Sequence, residues 1–439
     1  MNKMRVLFIH SWNKNDLSYR SRFSNLLSYP SLTLPTLVSL VPGDLCIEIE
    51  VCDEMSQRVK YDRKYDIVAI SFDTSSSIQA YTHAKVFRER GAHILLGGYH
   101  ATFMPEEALE HGDTVIVGPA EISLPQFFYD FVNGSPKRLY DNPMHDACNL
   151  KIPARNKVSP TKYLNIPTII ADRGCNNRCK FCAISRMWLS NPRPICDVVQ
   201  EIKGLHTNKL IFFDPNFFKP REYALELMKE LEKLKVRWAT NATADVAFDD
   251  ELLSAAQRAG CSGVLIGFES LSEQSLRGVR KKFSNTERYK EIVERMHNYD
   301  ISVNGCFVLG FDNDTEEELL SIPEKVKYMH LDLTRFAILT PVPGSELFKD
   351  LDRQGRIITR DWSMYTQHRA VFQPANMTPG RLEEIYRKVW KETFTLKNIL
   401  GRVWGSPNKT IAEKSVLLGV NIGFKLLPIQ GVKTEGGKA

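Results

Sequence analysis

The chain has 439 residues, of which 43% are apolar and 25% charged, and its formal net charge is +6 at pH 7. This length predicts at least two domains, and the small charge, with no block rich in lysine and arginine, argues against nucleic-acid binding. No apolar run is long enough to span a bilayer and the N-terminus shows no signal-peptide cleavage pattern, so we expect a cytoplasmic protein without a transmembrane segment.

Residues 1–140 alternate short strand-like and helix-like segments. The predicted strands are rich in valine and isoleucine and apolar on both faces, and they read MRVLFIH, IEIEVCD, YDIVAISF, HILLGGYH and TVIVGPAE. This pattern is typical of strands covered by helices on both sides, so it predicts a doubly wound, flavodoxin- or Rossmann-like α/β domain. The first strand is not followed by GxGxxG, which argues against a dinucleotide site.

Small and hydroxyl-bearing residues follow the third, fourth and fifth of these strands, at the edge where doubly wound sheets bind ligands. They let the backbone approach a large ligand and offer it hydrogen bonds. Tight turns and helix caps explain the same residues equally well. The candidate ligand contacts are Ser71, Thr74, Ser75, Gly97, Gly98, His100, Gly118 and Glu121.

Residues 141–164 contain prolines and polar residues without periodicity, which predicts an interdomain linker. Six strand–helix units follow in residues 165–375, with strands that read IPTIIAD, KLIFFD, VRWATNA, GVLIGFE, SVNGCFVLGF and LTRFAILTPVPG. Six units predict a complete or partial parallel (β/α)6 barrel with its site at the carboxyl ends of the strands. The residues expected there are a cysteine loop after the first strand, then Asp214, Asn216, Asn241, Glu269 and Gly310.

Residues 376–439 form a predicted helical C-terminal region. Its later part, SVLLGVNIGFKLL, is apolar but interrupted by Gly, Asn and Lys. We expect these helices to pack against the barrel, and peripheral contact with a membrane surface is the alternative.

Three of the nine cysteines, Cys175, Cys179 and Cys182, form the cluster RGCNNRCKFC, whereas the other six are scattered singly, unlike a disulfide framework. A structural zinc site needs a fourth ligand, and this region contains no second ligand pair. A redox dithiol explains only two of the three thiols. An iron–sulfur cubane explains all three, because three irons bind the protein and the fourth accepts a small ligand. Positive charge that favours a cluster is available from Arg173, Arg178 and Lys180.

The spacing C-x3-C-x2-C, with Phe181 before the last cysteine and a barrel strand before the first, resembles the signature of the radical S-adenosylmethionine (SAM) superfamily. The resemblance implies a [4Fe–4S] cluster held by the three cysteines, with SAM on the fourth iron and cleaved reductively to a 5′-deoxyadenosyl radical. It also implies that Phe181 flanks the adenine, that Glu269 binds the ribose and that Gly310 lies in the segment packed on adenine. Asp214 and Asn216 are weaker SAM candidates, because FFDPNFF lacks the glycines usual at the second strand, and Asn241 after the third strand is a further SAM candidate. A structural ion pair is the alternative role for Glu269.

A doubly wound domain in front of such a barrel resembles the cobalamin-binding class of this superfamily. The resemblance implies that the candidate contacts in residues 71–121 bind cobalamin, without an axial histidine because the D-x-H-x-x-G motif is absent near HSWNKND. The class often has G-E-A-E where this chain has GPAE, which puts one turn contact in doubt.

The implied reaction is cobalamin-dependent methylation of an unactivated carbon in a small-molecule biosynthetic intermediate, such as a natural product, a lipid or a tetrapyrrole. The implied electron donor is a flavodoxin or ferredoxin. We identify no catalytic acid or base in the sequence, since hydrogen abstraction by a radical needs none. The alternatives are a cobalamin-binding radical enzyme that performs cyclisation, rearrangement, deoxygenation or dehydration without methyl transfer, and a non-enzymatic sensor.

Overall fold

A computed structural model of the chain describes residues 3–13, 28–142, 150–158, 164, 166–281 and 285–427. Two six-stranded parallel sheets organise this part of the chain, one in each half. Residues 143–149 and 159–163 of the predicted linker, and residues 428–439 of the predicted helical region, lie outside the described residues.

The N-terminal sheet has the strand order β2-β1-β3-β4-β5-β6. Its strands are β1 (Met4–His10), β2 (Ile47–Asp53), β3 (Ile67–Ser71), β4 (His93–Gly97), β5 (Thr114–Val117) and β6 (Leu139–Asp141). Its helices are α1 (Thr33–Leu40), α2 (Ser77–Arg88), α3 (Tyr99–Phe103), α4 (Pro105–His111) and α5 (Ala120–Val132). The order reverses direction at β1, as a doubly wound sheet requires.

Each face of this sheet is buried under helices in its own apolar cluster. Phe8 packs with the α5 side chains Phe127 and Phe128 on one face, and Ile70 packs with the α2 side chain Phe87 on the other. The five predicted strands therefore form as expected. The sequence pattern missed β6, because three residues of which only Tyr140 is buried carry no periodic signal.

The second sheet runs in chain order from β7 to β12, which is the arrangement of a barrel wall. Its strands are β7 (Thr168–Ile169), β8 (Lys209–Phe212), β9 (Arg237–Ala242), β10 (Cys261–Glu269), β11 (Ser302–Leu309) and β12 (Leu333–Ile338). The intervening helices are α6 (Ile184–Met187), α7 (Ile195–Gly204), α8 (Arg221–Leu234), α9 (Asp250–Arg258), α10 (Glu273–Gly278), α11 (Tyr289–Asn298), α12 (Glu316–Tyr328) and α13 (Glu346–Arg353). Within the described residues β12 and β7 do not pair, so the barrel is partial and has an open seam.

Alternate residues of the barrel strands face opposite sides of the wall. On β10 the side chains of Val264, Ile266 and Phe268 are at most 2% exposed and pack under the surrounding helices, for example Phe268 on Tyr289 of α11 at 4.5 Å between ring centroids. The intervening positions, including Glu269, face the bore and are only partly buried. This alternation identifies which residues of the other strands line the bore.

Helices α14 (Pro379–Thr393), α15 (Leu396–Gly405) and α16 (Ile411–Lys425) complete the described chain. The α14 side chain Trp390 lies 5.8 Å from Phe336 of β12 and stacks on Phe424 of α16 at 6.1 Å. These helices therefore pack on the outer face of the barrel, in line with the expectation for this region. Trp404 and Ile411 are 74% and 86% exposed, and the membrane-contact alternative stays a prediction. In the described part of the chain no helix has both the length and the apolar character needed to cross a membrane.

Candidate cluster and cofactor site

The three clustered cysteines lie on the loop between β7 and α6, at the carboxyl end of the first barrel strand. Two backbone groups of Lys180 tie the loop to the barrel rim: its amide donates to the carbonyl of Val279 at 3.1 Å, and its carbonyl accepts from Leu347 of α13 at 2.9 Å. The amide of Cys175 donates to the carbonyl of Trp188 at 3.4 Å. The loop is thus held by backbone bonds to three separate parts of the chain, and side chains are left free to bind a ligand.

Asp172 and Gly174 shape the start of this loop. The Asp172 carboxylate accepts hydrogen bonds from the amides of Gly174 at 2.9 Å and Asn191 at 3.1 Å, and from the hydroxyl of Ser190. Any side chain at Gly174 would overlap the carbonyl of Leu189, so the two arms of the loop approach each other through a glycine. This close approach sets the path of the chain into Cys175.

The three thiols are partly buried, are not in disulfides and lie close enough to act on one another electrostatically. Burial raises the pKa of Cys179 to about 11 and also raises the pKa of Cys175 and Cys182, while the ammonium of Lys281 opposes each rise. Three neutral thiols in a buried pocket beside a cation are well suited to bind a metal cluster as thiolates.

No group of three or more His, Cys, Asp or Glu side chains among the described residues is placed around a single metal-ion position. A cubane does not require such a point, because each thiolate binds a different iron. The donor chemistry and the shared electrostatic environment of the three thiols therefore fit a [4Fe–4S] cluster.

Asp214 supports the cysteine loop from below. It is 1% exposed, and its two carboxylate oxygens accept hydrogen bonds from the amides of Ala171 at 2.8 Å and Asp172 at 2.9 Å. Burial raises the pKa of this carboxyl to about 8. Both oxygens accept hydrogen bonds from the protein, so the structure gives Asp214 a positioning role, and its contact with SAM stays a prediction.

The two predicted asparagines lie beside Asp214. Asn241 donates to the Asp214 carbonyl at 2.8 Å, which links the third strand to the second. Asn216 donates to Thr243 at 3.1 Å, and its Oδ1 is buried without a hydrogen-bond partner in the described structure. That unsatisfied oxygen keeps Asn216 a candidate for binding a cofactor, whereas the Asn241 amide is engaged in the wall.

Glu269 ends β10 in the left-handed backbone region, with φ of +63°, and faces the bore. Its carboxylate pairs with the Lys281 ammonium at 2.5 Å, and the two side chains are 12% and 6% exposed. The pair lies against Gly267, where a side chain would overlap the Glu269 carboxylate. The ion pair foreseen as the alternative for Glu269 is therefore present, and it borders the three thiols.

The sequence did not single out Lys281 because it lies in a cationic stretch, VRKK, that resembles a solvated surface. Of the cations predicted to stabilise the cluster, Arg173 pairs with Glu121 and Lys180 lies 3.9 Å from Asp350. Lys281 is the cation whose charge acts on all three thiols. Lys281 is identified as this cation by its distance from the thiols in the folded chain, because it is far from them in the sequence.

Phe181 and Gly310 meet at the rim, where both were expected. The Phe181 ring lies 6.0 Å from that of Phe311 and packs on a small apolar cluster with Leu339 and Phe372. Gly310 has φ of +108° and its amide donates to Asp314 at 2.9 Å, which turns the chain sharply after β11. An apolar, partly exposed ring next to a sharp backbone turn is a suitable surface for a planar ligand such as adenine.

The N-terminal loops that follow β3, β4 and β5 meet at one sheet edge. The amide of Phe72 donates to Gly97 at 3.2 Å, and the amide of Gly118 donates to Thr102 at 3.0 Å. Gly98, with φ of +103°, lies where a side chain would approach the Phe72 carbonyl to 2.5 Å. Glycine at this position therefore serves the tight turn, and Gly97 and Gly118 remain partly exposed beside it.

Three candidates on these loops, Thr74, Ser75 and His100, hydrogen-bond to other groups of the protein. Ser75 donates to Asp73 at 2.9 Å, and Ser71 lies at the end of β3 beside Gly98. His100 is fully buried, with Nδ1 3.3 Å from the Thr74 hydroxyl and Nε2 3.2 Å from Glu107. Because both ring nitrogens are occupied, His100 belongs to a buried network and presents no free edge to a cofactor.

Glu121, the last of these candidates, connects the two halves of the chain. Its carboxylate pairs with Arg173 of the cysteine loop at 2.5 Å, and the Arg173 guanidinium lies 5.5 Å from the ring centre of Trp188. Tyr99 contacts the same ring edge-on at 5.2 Å, and its hydroxyl is close enough to Cys182 for the thiol to act on its pKa, which burial raises. The loops of the doubly wound domain therefore lie directly over the cysteine loop.

Two polar atoms at this junction are buried without hydrogen-bond partners in the described structure, Oε2 of Glu121 and Nε1 of Trp188. Buried polar atoms are normally satisfied, so unsatisfied ones aimed at a shared junction mark a place for a ligand with donors and acceptors. Amide-bearing cobalamin has such groups, and the partly exposed glycines nearby allow its close approach. The residues present therefore fit cobalamin between the two halves.

Comparison with known proteins agrees with this geometry. Residues 169–326 match the family model of the radical SAM superfamily, and residues 44–128 match that of the B12 binding domain. Among curated relatives, the bacteriochlorophyllide d C-12(1)-methyltransferase of Chlorobaculum tepidum is 29% identical over 78% of each chain. The bacteriochlorophyllide d C-8(2)-methyltransferase of the same organism is 28% identical over 87% of this chain and 89% of its own.

Solved structures share the fold. The cobalamin-dependent SAM radical enzyme OxsB, with aqua-cobalamin bound, superposes with a TM-score of 0.68 at 15% identity, over 97% of this chain and 72% of its own. The radical SAM methyltransferase TsrM of Kitasatospora setae, with cobalamin and a [4Fe–4S] cluster, gives a TM-score of 0.62 at 16% identity, over 80% of this chain and 78% of its own. The chain therefore combines a radical SAM domain with a B12 binding domain, and over most of its length its fold is similar to that of solved cobalamin-dependent radical SAM enzymes.

Proposed function

We propose that this enzyme methylates an unactivated carbon of a tetrapyrrole, with a [4Fe–4S] cluster, SAM and cobalamin as cofactors. The observation that carries the proposal is the 28% identity to a bacteriochlorophyllide methyltransferase over 87% of the chain, because that match includes both domains. A second methyltransferase that acts on bacteriochlorophyllide d matches over 78% of the chain. The agreement between two relatives favours a tetrapyrrole over the lipid and natural-product classes.

The chain's own residues would bind the cofactors and position them relative to one another. Cys175, Cys179 and Cys182 would hold the cluster, and the Glu269–Lys281 pair beside them offers a carboxylate and an ammonium to SAM. The unsatisfied atoms of Glu121 and Trp188 would receive cobalamin over the cysteine loop. When bound, these cofactors supply a carbon-centred radical and a transferable methyl group.

No acid or base needs to act at the reacting carbon in this scheme, so the protein's task is to exclude water and to hold the substrate between the cofactors. We propose a flavodoxin or ferredoxin as the electron donor. We also propose that the enzyme works in the reducing cytoplasm, where its cysteines stay as thiols.

The experiment is anaerobic reconstitution with iron, sulfide and hydroxocobalamin, followed by incubation with SAM, a reductant and bacteriochlorophyllide d. Formation of both S-adenosylhomocysteine and 5′-deoxyadenosine, together with a methylated pigment, supports the proposal. Cys175→Ala should abolish all three products and lower the iron content from about four per chain. The matched control is Cys196→Ala, which removes an exposed thiol outside the cluster loop and should change neither the three products nor the iron content.

One observation favours a second candidate. The anaerobic magnesium-protoporphyrin IX monomethyl ester cyclase of Rubrivivax gelatinosus is 24% identical over 90% of this chain and 78% of its own. A cyclase-like reaction would consume SAM to 5′-deoxyadenosine without S-adenosylhomocysteine and without a heavier carbon skeleton. That product pattern, with a tetrapyrrole substrate, would replace the methylation proposal.

A further inference from the structure

Strand β12 carries an arginine on its bore-facing side. Thr334, Phe336 and Ile338 are at most 4% exposed and form the buried face of the strand, with Phe336 against Trp390 of α14. Arg335 lies between them on the opposite face and its side chain is exposed. Because β12 borders the open seam of the barrel, Arg335 projects into the bore next to that seam.

The neighbours of Arg335 confirm this placement. Cys306 is its partner in the β11–β12 register and also faces the bore. The guanidinium charge acts on the pKa of Cys306, of Tyr29 and of His368, which places it among side chains from three separate segments. Its carbon Cζ also lies 5.8 Å from the ring centre of Phe424 on α16, so the guanidinium lies at the edge of the wall, between the bore and the C-terminal helices.

None of these neighbours neutralises the charge. The His368 ring is hydrogen-bonded to Tyr386 at 2.7 Å, and burial lowers the pKa of His368 to about 4, so this histidine is neutral at pH 7. Tyr29 is also neutral, because burial raises its pKa. Among the described residues no carboxylate forms an ion pair with Arg335. In this Arg335 differs from the exposed arginines that form ion pairs, such as Arg221 with Asp249 and Arg381 with Glu316.

Aromatic and aliphatic side chains line the bore near Arg335 together with a buried asparagine. Tyr29 contacts Phe213 edge-on at 6.0 Å, and Phe213 is 40% exposed although it is a large aromatic side chain. Leu265 of β10 faces the same space and is the register partner of Asn304 on β11. The Oδ1 atom of Asn304 is buried without a hydrogen-bond partner in the described structure. The site therefore combines exposed aromatic surface, one unpaired cation and one unsatisfied acceptor.

We propose that Arg335 binds a carboxylate of the substrate while the apolar body of the substrate fills the bore against Phe213 and Leu265. This inference rests on the proposed function and specifies its substrate class as a tetrapyrrole acid with a free carboxylate side chain. A guanidinium fork matches a carboxylate with two parallel hydrogen bonds, and the pair strengthens when the ligand displaces water from the bore. The aromatic lining suits a large planar apolar body better than a hydroxylated sugar or nucleotide.

The test measures equilibrium binding of pheophorbide a and of its methyl ester to the reconstituted holoenzyme, by pigment fluorescence. The two probes share one macrocycle and differ in the charge of one carboxyl group. Wild type should bind the free acid about 10- to 100-fold more tightly than the ester. Arg335→Gln should remove this preference and leave the affinity for the ester unchanged, and Arg335→Lys should restore part of it because it returns the charge without the fork.

The matched control is Arg237→Gln at the amino end of β9, whose guanidinium already pairs with Glu413 of α16 at 3.0 Å. This variant should keep the full preference for the acid. Equal binding of acid and ester by wild type overturns the inference without reference to any variant, and so does an Arg335→Gln protein that retains the preference. Failure of both probes to bind overturns the assigned substrate class as well. Binding does not require methyl transfer. If wild type prefers the acid but yields no methylated product, the proposed reaction is refuted and the binding role of Arg335 is not.

Discussion

Replacement of Asp214 tests whether the cysteine loop is held from below by a buried carboxylate. The two oxygens of Asp214 accept from two consecutive amides, those of Ala171 and Asp172, immediately before the loop that carries Cys175. The residue is 1% exposed, so water cannot take over these bonds when the carboxylate is removed. Asp214→Ala leaves both amides unsatisfied, and Asp214→Asn leaves one amide opposed to a side-chain NH2 group.

The magnitude follows from the cost of an unsatisfied buried donor, about 1–3 kcal/mol each. For Asp214→Ala, two lost bonds give a destabilisation of about 2–6 kcal/mol, and for Asp214→Asn we expect roughly half of that. Because the affected amides begin the cluster loop, we also expect the iron content after reconstitution to fall in both variants. A direct SAM contact would instead leave stability and iron content intact and weaken only SAM binding.

The assay is urea unfolding of the metal-free protein, followed by iron analysis after anaerobic reconstitution. The control is Asp352→Asn, which removes an exposed carboxylate of α13 that pairs with Arg360. That change should alter the free energy of unfolding by less than about 0.5 kcal/mol. If Asp214→Asn unfolds at the same urea concentration as wild type and binds about four irons, the positioning role is refuted.

Three further predictions test other parts of the site. Gly174→Ala should prevent cluster assembly because its side chain would overlap the Leu189 carbonyl, whereas Gly204→Ala, with open space around it, should leave the iron content unchanged. Glu121→Gln should weaken retention of hydroxocobalamin in gel filtration, because it removes the charge that pairs with Arg173 across the domain junction, and iron content should stay the same. The folded pKa of His368, about 4, lies below its ordinary value of 6.5, so its stability contribution is complete above pH 6.5 and is lost as the pH falls toward 4. That contribution is about 3 kcal/mol. The free energy of unfolding, measured in urea, should therefore fall by about this amount between neutral and acidic pH in wild type, and His368→Gln should remove that part of the fall. If the fall is the same in the variant, the burial argument is refuted.

Local patterns predicted most of the fold. Short apolar runs between helix-like segments identified five of the six N-terminal strands and all six barrel strands. The short strand β6 carries too few residues for such a signal. The cysteine spacing likewise located the cluster loop, because three ligands on one loop form a local motif.

The roles of single polar residues depended on distant partners that no local pattern reveals. Asp214 is a weak SAM candidate by its place in the sequence, and the structure adds that its carboxylate accepts from two amides at the end of the preceding strand. Lys281 is recognised as part of the site only from the fold, which places its ammonium beside the Glu269 carboxylate. Glu121 was predicted as a cofactor contact, and its pairing with Arg173 arises because two domains meet there. Which oxygen or ammonium remains available to a ligand is decided by tertiary packing.

In the proposed reaction one substrate carbon gains a methyl group that originates from SAM and is delivered with the help of cobalamin. The most direct measurement is mass spectrometry of the pigment after reaction with SAM that carries a trideuteriomethyl group, in the presence and absence of cobalamin. We expect a product heavier by one intact trideuteriomethyl group, formed only with cobalamin and together with both S-adenosylhomocysteine and 5′-deoxyadenosine. A product without deuterium, or one formed equally well without cobalamin, would contradict the proposed reaction.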